Sequence, residues 1–180
     1  MRMVIRKWFW AWDFDREEKW LAECAAKGLC LTSVGFCRYE FEEGVPGAYN
    51  VRLEMLEHPP AHPESMQYIR FLEETGAEHV GSVNRWIYLR RPAEMGPFDL
   101  FSDNASRVRH LGRILSLLTV PVLFCFGIGV YNIVLGHMLG SMVNMLIGGI
   151  DVLISLLLSA GLYKLYRKRS RLKKEQQIFE

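Results

Sequence analysis

WLAECAAKG (residues 20–28) returns in outline 48 residues later as YIRFLEETG (residues 68–76), each a short amphipathic stretch closed by a glycine. Working outward from the first copy, Asp15 is a natural N-cap with Glu18 three places on, as in a capping box. Gly28 suits the left-handed position past a helix end, so residues 16–27 are predicted as a helix with Trp20, Leu21, Cys24 and Ala25 inward. Around the second copy, Pro63 opens a helix that turns Met66, Ile69 and Leu72 inward and stops at Gly76. Each glycine leads into a strand with alternating aromatics: residues 29–41 with Tyr39 and Phe41, and residues 79–90 with Trp86 and Tyr88. Between the copies, Pro46-Gly47 fits the centre of a type II turn and implies a hairpin. Residues 48–56 then alternate, with Tyr49, Val51, Leu53 and Met55 on one face and Asn50, Arg52 and Glu54 on the other.

The segment before the first helix, KWFWAWDF, completes the pattern as strand one. Trp8, Trp10 and Trp12 then share one face, and Lys7, Phe9 and Ala11 the other. The order β-α-β-β-α-β predicts an α+β, ferredoxin-like domain, with the repeat as its pseudo-two-fold. Two helices cover only one side of such a sheet, so an apolar central strand leaves a patch that needs a partner. Trp8, Phe9, Trp10 and Trp12, with Arg52 and Glu54 nearby, form the candidate surface for a ligand or protein, unless residues 91–103 or a second copy cover it.

Charge separates this region from the rest. Residues 1–106 carry 12 Lys+Arg against 17 Asp+Glu, a net of −5, and residues 107–180 carry 10 against 3, a net of +7. Residues 114–135 and 142–163 are two apolar runs, the first uncharged and the second interrupted only by Asp151. As a helix each would be about 33 Å long, enough for a hydrocarbon core of about 30 Å. The expected organisation is a cytosolic domain (1–92), a juxtamembrane linker and helix (93–113), two transmembrane helices (114–135 and 142–163) and a basic tail (164–180). Arginines precede the first run, a Lys/Arg-rich segment follows the second, and the connecting turn has neither. The positive-inside rule therefore predicts a two-pass protein of the inner (plasma) membrane with both termini cytoplasmic and the tail against anionic lipid. The amino-terminal residues lack the features of a signal peptide. Cys24, Cys30 and Cys37 would then face a reducing compartment, and their spacings read as packing positions.

Catalytic chemistry is not indicated. His58, His62 and Glu64 are the metal candidates, but the prolines of HPPAHPE exclude a helical i, i+4 pair, so neither metal nor cofactor is expected. His79 and His110 read as surface residues. Aromatic sheets can stack bases, yet the −5 charge argues against nucleic acid. In the apolar runs, Asn144, Gly148, Asp151, Ser155 and Ser159 form one polar and small stripe, and Cys125, Gly129, Asn132 and Gly136 another. Packing of these faces, within a chain or in a homodimer, would shelter Asp151. Pro121 is expected to kink the first span, and Asp103 to cap a helix running into it.

The pieces KWFWAWDFDREEKWLAECAAKG, YEFEEGVPGAYNVRLEML, YIRFLEETG, WIYLRRP and FDLFSDNASRVRHLGRI resemble a bacterial membrane-protein family, domain of unknown function 2812, over residues 6–115. The resemblance implies a soluble module ahead of membrane helices, frequently encoded beside PadR-like transcriptional regulators. The expected function is a membrane-anchored, non-enzymatic regulatory or sensing protein, with a PadR-like regulator as one possible partner. The alternative is an accessory subunit of a membrane transporter docking through the helical hairpin.

Overall fold

Gly28 and Gly76 take φ of +82° and +88°, and each stands between the end of a helix and the start of a strand. These two positions organise the first unit of the computed structural model, which describes residues 2–101 and 103–179. The first three elements are β1 (Arg2–Arg6), α1 (Phe14–Ala26) and β2 (Leu29–Gly35). Next come β3 (Arg38–Glu43), β4 (Tyr49–Met55), α2 (Pro63–Glu74), β5 (Glu78–Val83) and β6 (Trp86–Pro92). Two compact units divide the chain, Met1–Ser102 and Asp103–Glu180.

The first unit is mixed α+β, built from a β-α-β-β unit used twice. Its two antiparallel three-stranded sheets run β1-β3-β2 and β4-β6-β5, so the last strand of each copy lies in the centre. The ladders match in detail. In β2 the register shifts between Leu31 and Ser33, and in β5 between His79 and Gly81, again 48 residues apart. The single ferredoxin-like sheet expected from the sequence is replaced by this pair, because residues 29–41 and 79–90 each fold back on themselves. The hairpins turn at Phe36-Cys37 and Asn84-Arg85, with Cys37 and Asn84 both at φ +55° and no glycine in either loop to signal the turn. Gly47 is left-handed at φ +73°, as a type II turn requires, but Pro46-Gly47 connects one sheet to the other and closes no hairpin.

Helix α1 is shared between the sheets. Its Leu21 and Cys24 pack with Leu31, Tyr39 and Phe41 of the first sheet and with Val51, Leu53 and Tyr88 of the second. On the other face of the second sheet, α2 contributes Ile69 and Leu72 to a separate core with Leu56, Ile87, Leu89 and Phe98. Burying both faces of β6 explains its run WIYLRRP, apolar at successive positions rather than alternate ones. Met66, expected inward, is 50% exposed. The edge strands β2 and β5 approach so closely that a Cβ on Gly81 would lie 2.9 Å from Val34 Cγ2. Arg90 ties the sheets by donating from Nε to Glu78 Oε2 (2.6 Å) and from Nη1 to the Leu31 carbonyl (2.8 Å).

The second unit is a pair of helices, α3 (Asn104–Leu139) and α4 (Met142–Phe179), both long and apolar enough to cross a membrane. At about 1.5 Å per residue each exceeds a hydrocarbon core of about 30 Å, so charged ends extend past the apolar stretch. Asp103 caps α3 as expected, its Oδ1 accepting from the Ser106 N–H at 2.7 Å. Pro121 lies inside an uninterrupted helix. His110, read as a surface residue, is 2% exposed. The helices meet at glycines: a Cβ on Gly148 would lie 2.6 Å from the Gly129 carbonyl oxygen, and one on Gly136 2.8 Å from the Met145 nitrogen.

Candidate functional site

Trp8, Trp10 and Trp12 are not in a strand. β1 ends at Arg6, four irregular residues follow, and a 3-10 turn over Ala11–Asp13 leads into α1. The helix starts two residues earlier than predicted, with Asp13 at its N-cap position. Glu18 makes no capping box: its Oε2 accepts the Leu53 N–H at 3.1 Å, covering the free edge of β4.

Irregular backbone still sorts these aromatics to two sides. Phe9 turns inward, 5.6 Å from the Trp20 ring and 6.4 Å from Tyr39, centroid to centroid. Trp8 and Trp10 turn outward, 56% and 40% exposed. They pack edge to face at 5.5 Å, Trp10 stacks on half-buried Trp12 at 4.8 Å, and Trp8 meets Phe36 at 5.7 Å. Phe36 stands at the tip of the β2–β3 hairpin, 76% exposed, and sequence reasoning gave it no role. Local sequence gives no signal for it, because the two-residue loop that exposes it is hidden within residues 29–41. Beside the rings is a shallow depression lined by Arg6, Lys7, Trp8, Phe36, Cys37 and Arg38. Every charged residue lining it is basic. Lys7 Nζ reaches back over the Trp20 ring, 4.5 Å from its centroid.

The other two residues assigned to this surface lie elsewhere. Glu54 is 2% exposed on the face of β4 opposite Val51 and Leu53, its Oε2 accepting from the Tyr68 hydroxyl at 2.8 Å. Arg52 is half-buried, 3.5 Å from Glu18 Oε1. Strand alternation placed them away from the core of the first helix, but α2 covers that side.

One buried polar cluster was missed by the sequence reading. Glu17, 8% exposed, accepts hydrogen bonds at Oε1 from the hydroxyls of both Tyr39 and Tyr88, each at 2.6 Å. Burial raises the Glu17 pKa, and the two hydroxyls offset part of that rise. Burial and the adjoining carboxylate raise both phenols above their ordinary range. One tyrosine comes from β3 and the other from β6, so the carboxylate joins the two sheets through α1. The pattern was present in Glu17, Leu21 and Cys24, at i, i+4 and i+7 on the inward stripe.

The metal candidates are brought together despite the prolines. His58 and His62 stack with ring centroids 4.2 Å apart, and His58 Nε2 lies 3.4 Å from Glu64 Oε2. A turn does this, closed by the His62 N–H donating to the Pro59 carbonyl at 2.9 Å. The three donor atoms lie within 4.8 Å of one another, against about 3.3 Å for a tetrahedral zinc shell. His62 Nδ1 is also committed to the Glu64 N–H at 3.4 Å, capping α2. The contacts present cap α2 and set His58 against Glu64.

Among the residues of the helix pair, Ser155 is 1% exposed and donates to the Val152 carbonyl at 2.7 Å. Asn132 Nδ2 donates to the Ile128 carbonyl one turn back at 3.1 Å, and the Asn144 N–H donates to Ser141 Oγ at 3.5 Å. Asn132, Asn144 and Asp151 are half-buried. Glycines and Ser155 are therefore part of the packing of the helix pair, beside apolar side chains such as Ile133, Met145 and Val152, and these three polar side chains are only half-buried.

No curated protein and no solved structure matches the chain. A family model described as protein of unknown function (DUF2812) matches residues 13–123. The match runs from the start of α1, through both copies of the β-α-β-β unit after β1, and into the first apolar helix, more than half of the 180 residues. The chain belongs to the DUF2812 family.

Proposed function

We propose that this chain is a membrane-anchored, non-enzymatic regulatory or sensing protein whose soluble unit engages a partner through Trp8, Trp10 and Phe36. The observation that carries this reading is three exposed aromatics in one contiguous cluster, on a domain joined in the same chain to two helices apolar enough to cross a bilayer. Exposed aromatic surface of this kind is unfavourable in water and marks interaction sites. The charge distribution favours a plasma-membrane hairpin with both termini in the cytoplasm, and a cytoplasmic regulator, PadR-like or otherwise, is then within reach.

Photocross-linking from position 36 of the full-length chain in native membranes tests the reading. A discrete adduct that disappears in the Trp8→Ala/Trp10→Ala variant supports it. The absence of any adduct, to protein or lipid, overturns it. The second reading, an accessory subunit of a transporter, is favoured by the half-buried Asp151 beside outward apolar side chains such as Ile150 and Leu153. Under that reading a polytopic membrane protein co-purifies with the chain, and its recovery survives loss of the exposed tryptophans.

A further inference from the structure

We infer that the partner of the exposed aromatic cluster is the bilayer itself: Trp8, Trp10 and Phe36 enter the interfacial region of an anionic leaflet, drawn there by the net positive charge of the depression beside them. The inference rests on the reading that α3 and α4 cross a membrane, and it names the occupant of the surface proposed above.

Three observations converge on lipid. First, the side chains are of the interfacial kind. Indole rings with an apolar body and a polar N–H favour the headgroup level, and a phenylalanine at the tip of a hairpin is a wedge that can enter it. Trp8, Trp10 and Phe36 are 56%, 40% and 76% exposed, and they touch one another in one cluster. Second, the local charge opposes that of its surroundings. Residues 1–106 carry a net −5, yet the charged residues lining the depression are Arg6, Lys7 and Arg38. Of the carboxylates on the same sheet, Glu42 pairs with Arg2 (2.9 Å) and Glu40 with Arg38 (2.8 Å), so one carboxylate offsets part of the lining and leaves it net positive. The attraction of a few cations to an anionic surface is weak and screened, so a cluster of this size makes docking reversible and sensitive to salt and lipid charge. Third, the tether is short. Phe98 is buried in the second core and α3 begins at Asn104, so the linker can reach at most roughly 20 Å. A domain tethered by so short a linker to a bilayer-spanning helix samples the membrane surface at high effective concentration, so weak contacts suffice.

Tryptophan fluorescence of the full-length chain in vesicles tests this. All five tryptophans lie between positions 8 and 86, so neither long helix contributes to the signal. The vesicles contain phosphatidylcholine with brominated acyl chains, with and without phosphatidylglycerol. The expected result is quenching with phosphatidylglycerol that is largely lost without it or at high salt. Phe36→Asp and Arg6→Glu, both at exposed positions, should lose the quenching while keeping the parent's circular dichroism. Equal quenching in parent and both variants, or none in a chain that resists carbonate extraction, overturns the inference. A protein adduct from position 36 together with no lipid quenching also overturns it, and leaves the proposed function standing. A chain released by carbonate sinks both.

Discussion

Glu17 places a carboxylate where water is nearly absent, and its two tyrosine partners make it the best-defined polar group in the domain. Because burial raises its pKa, the folded state holds the proton to higher pH than the unfolded chain. Below about 4.5 both states are protonated and the contribution to stability is complete. As pH rises through the folded value that contribution is lost, and above it the profile is flat again. Glu17→Gln removes this dependence, so its stability relative to the parent should rise across that window. Urea unfolding at several pH values, followed by tryptophan emission in detergent, reads the difference; parallel profiles would show that Glu17 does not titrate with folding. Glu17→Ala should cost about 2–4 kcal/mol, since it strands two buried hydroxyls. Only part of this was open to sequence: the inward stripe was read from Trp20, Leu21, Cys24 and Ala25, and Glu17 falls in line with Leu21 and Cys24, but no local pattern tells a lone carboxylate that two tyrosines from different sheets will meet it.

The glycines that end α1 and α2 show how equal elements acquire unequal roles. Both adopt φ above +80°, which costs an alanine about 1–2 kcal/mol. At Gly28 the new Cβ would also lie 2.8 Å from the backbone carbonyl of Gly44, which has little freedom to retreat. At Gly76 the obstacle is Met95 Cε at 2.5 Å, the end of a flexible, 52% exposed side chain. Gly28→Ala should therefore lower stability by about 2–3 kcal/mol and Gly76→Ala by about 1 kcal/mol in the same unfolding assay. Equal losses would mean that the Gly44 strand end yields as easily as methionine does. The helices and their glycine stops were readable because capping and periodicity are local. The hairpins at Phe36-Cys37 and Asn84-Arg85 were not, since a continuous apolar alternation hides a two-residue loop that lacks glycine.

For the whole molecule, the seam between α3 and α4 gives a paired test. Gly129 and Gly148 face each other across it, whereas a Cβ on Gly127 or Gly149 meets nothing within 4 Å. Gly148→Val should lower the thermal midpoint of the helical signal in detergent, and Gly149→Val should leave it near the parent's. Coincident midpoints would remove the glycines from the account of how the helices pack. The sequence by itself determined the division into an α+β part and two apolar helices, the two-fold repeat and the glycine-ended helices. All of these depend on composition or on spacing within a few turns of chain. Only the tertiary structure decided that the repeat makes two sheets sharing α1, that Glu54 is covered, and that Phe9 points inward while Trp8 and Trp10 join Phe36 outside. Those outcomes depend on which surfaces meet across distances in sequence that no local pattern encodes.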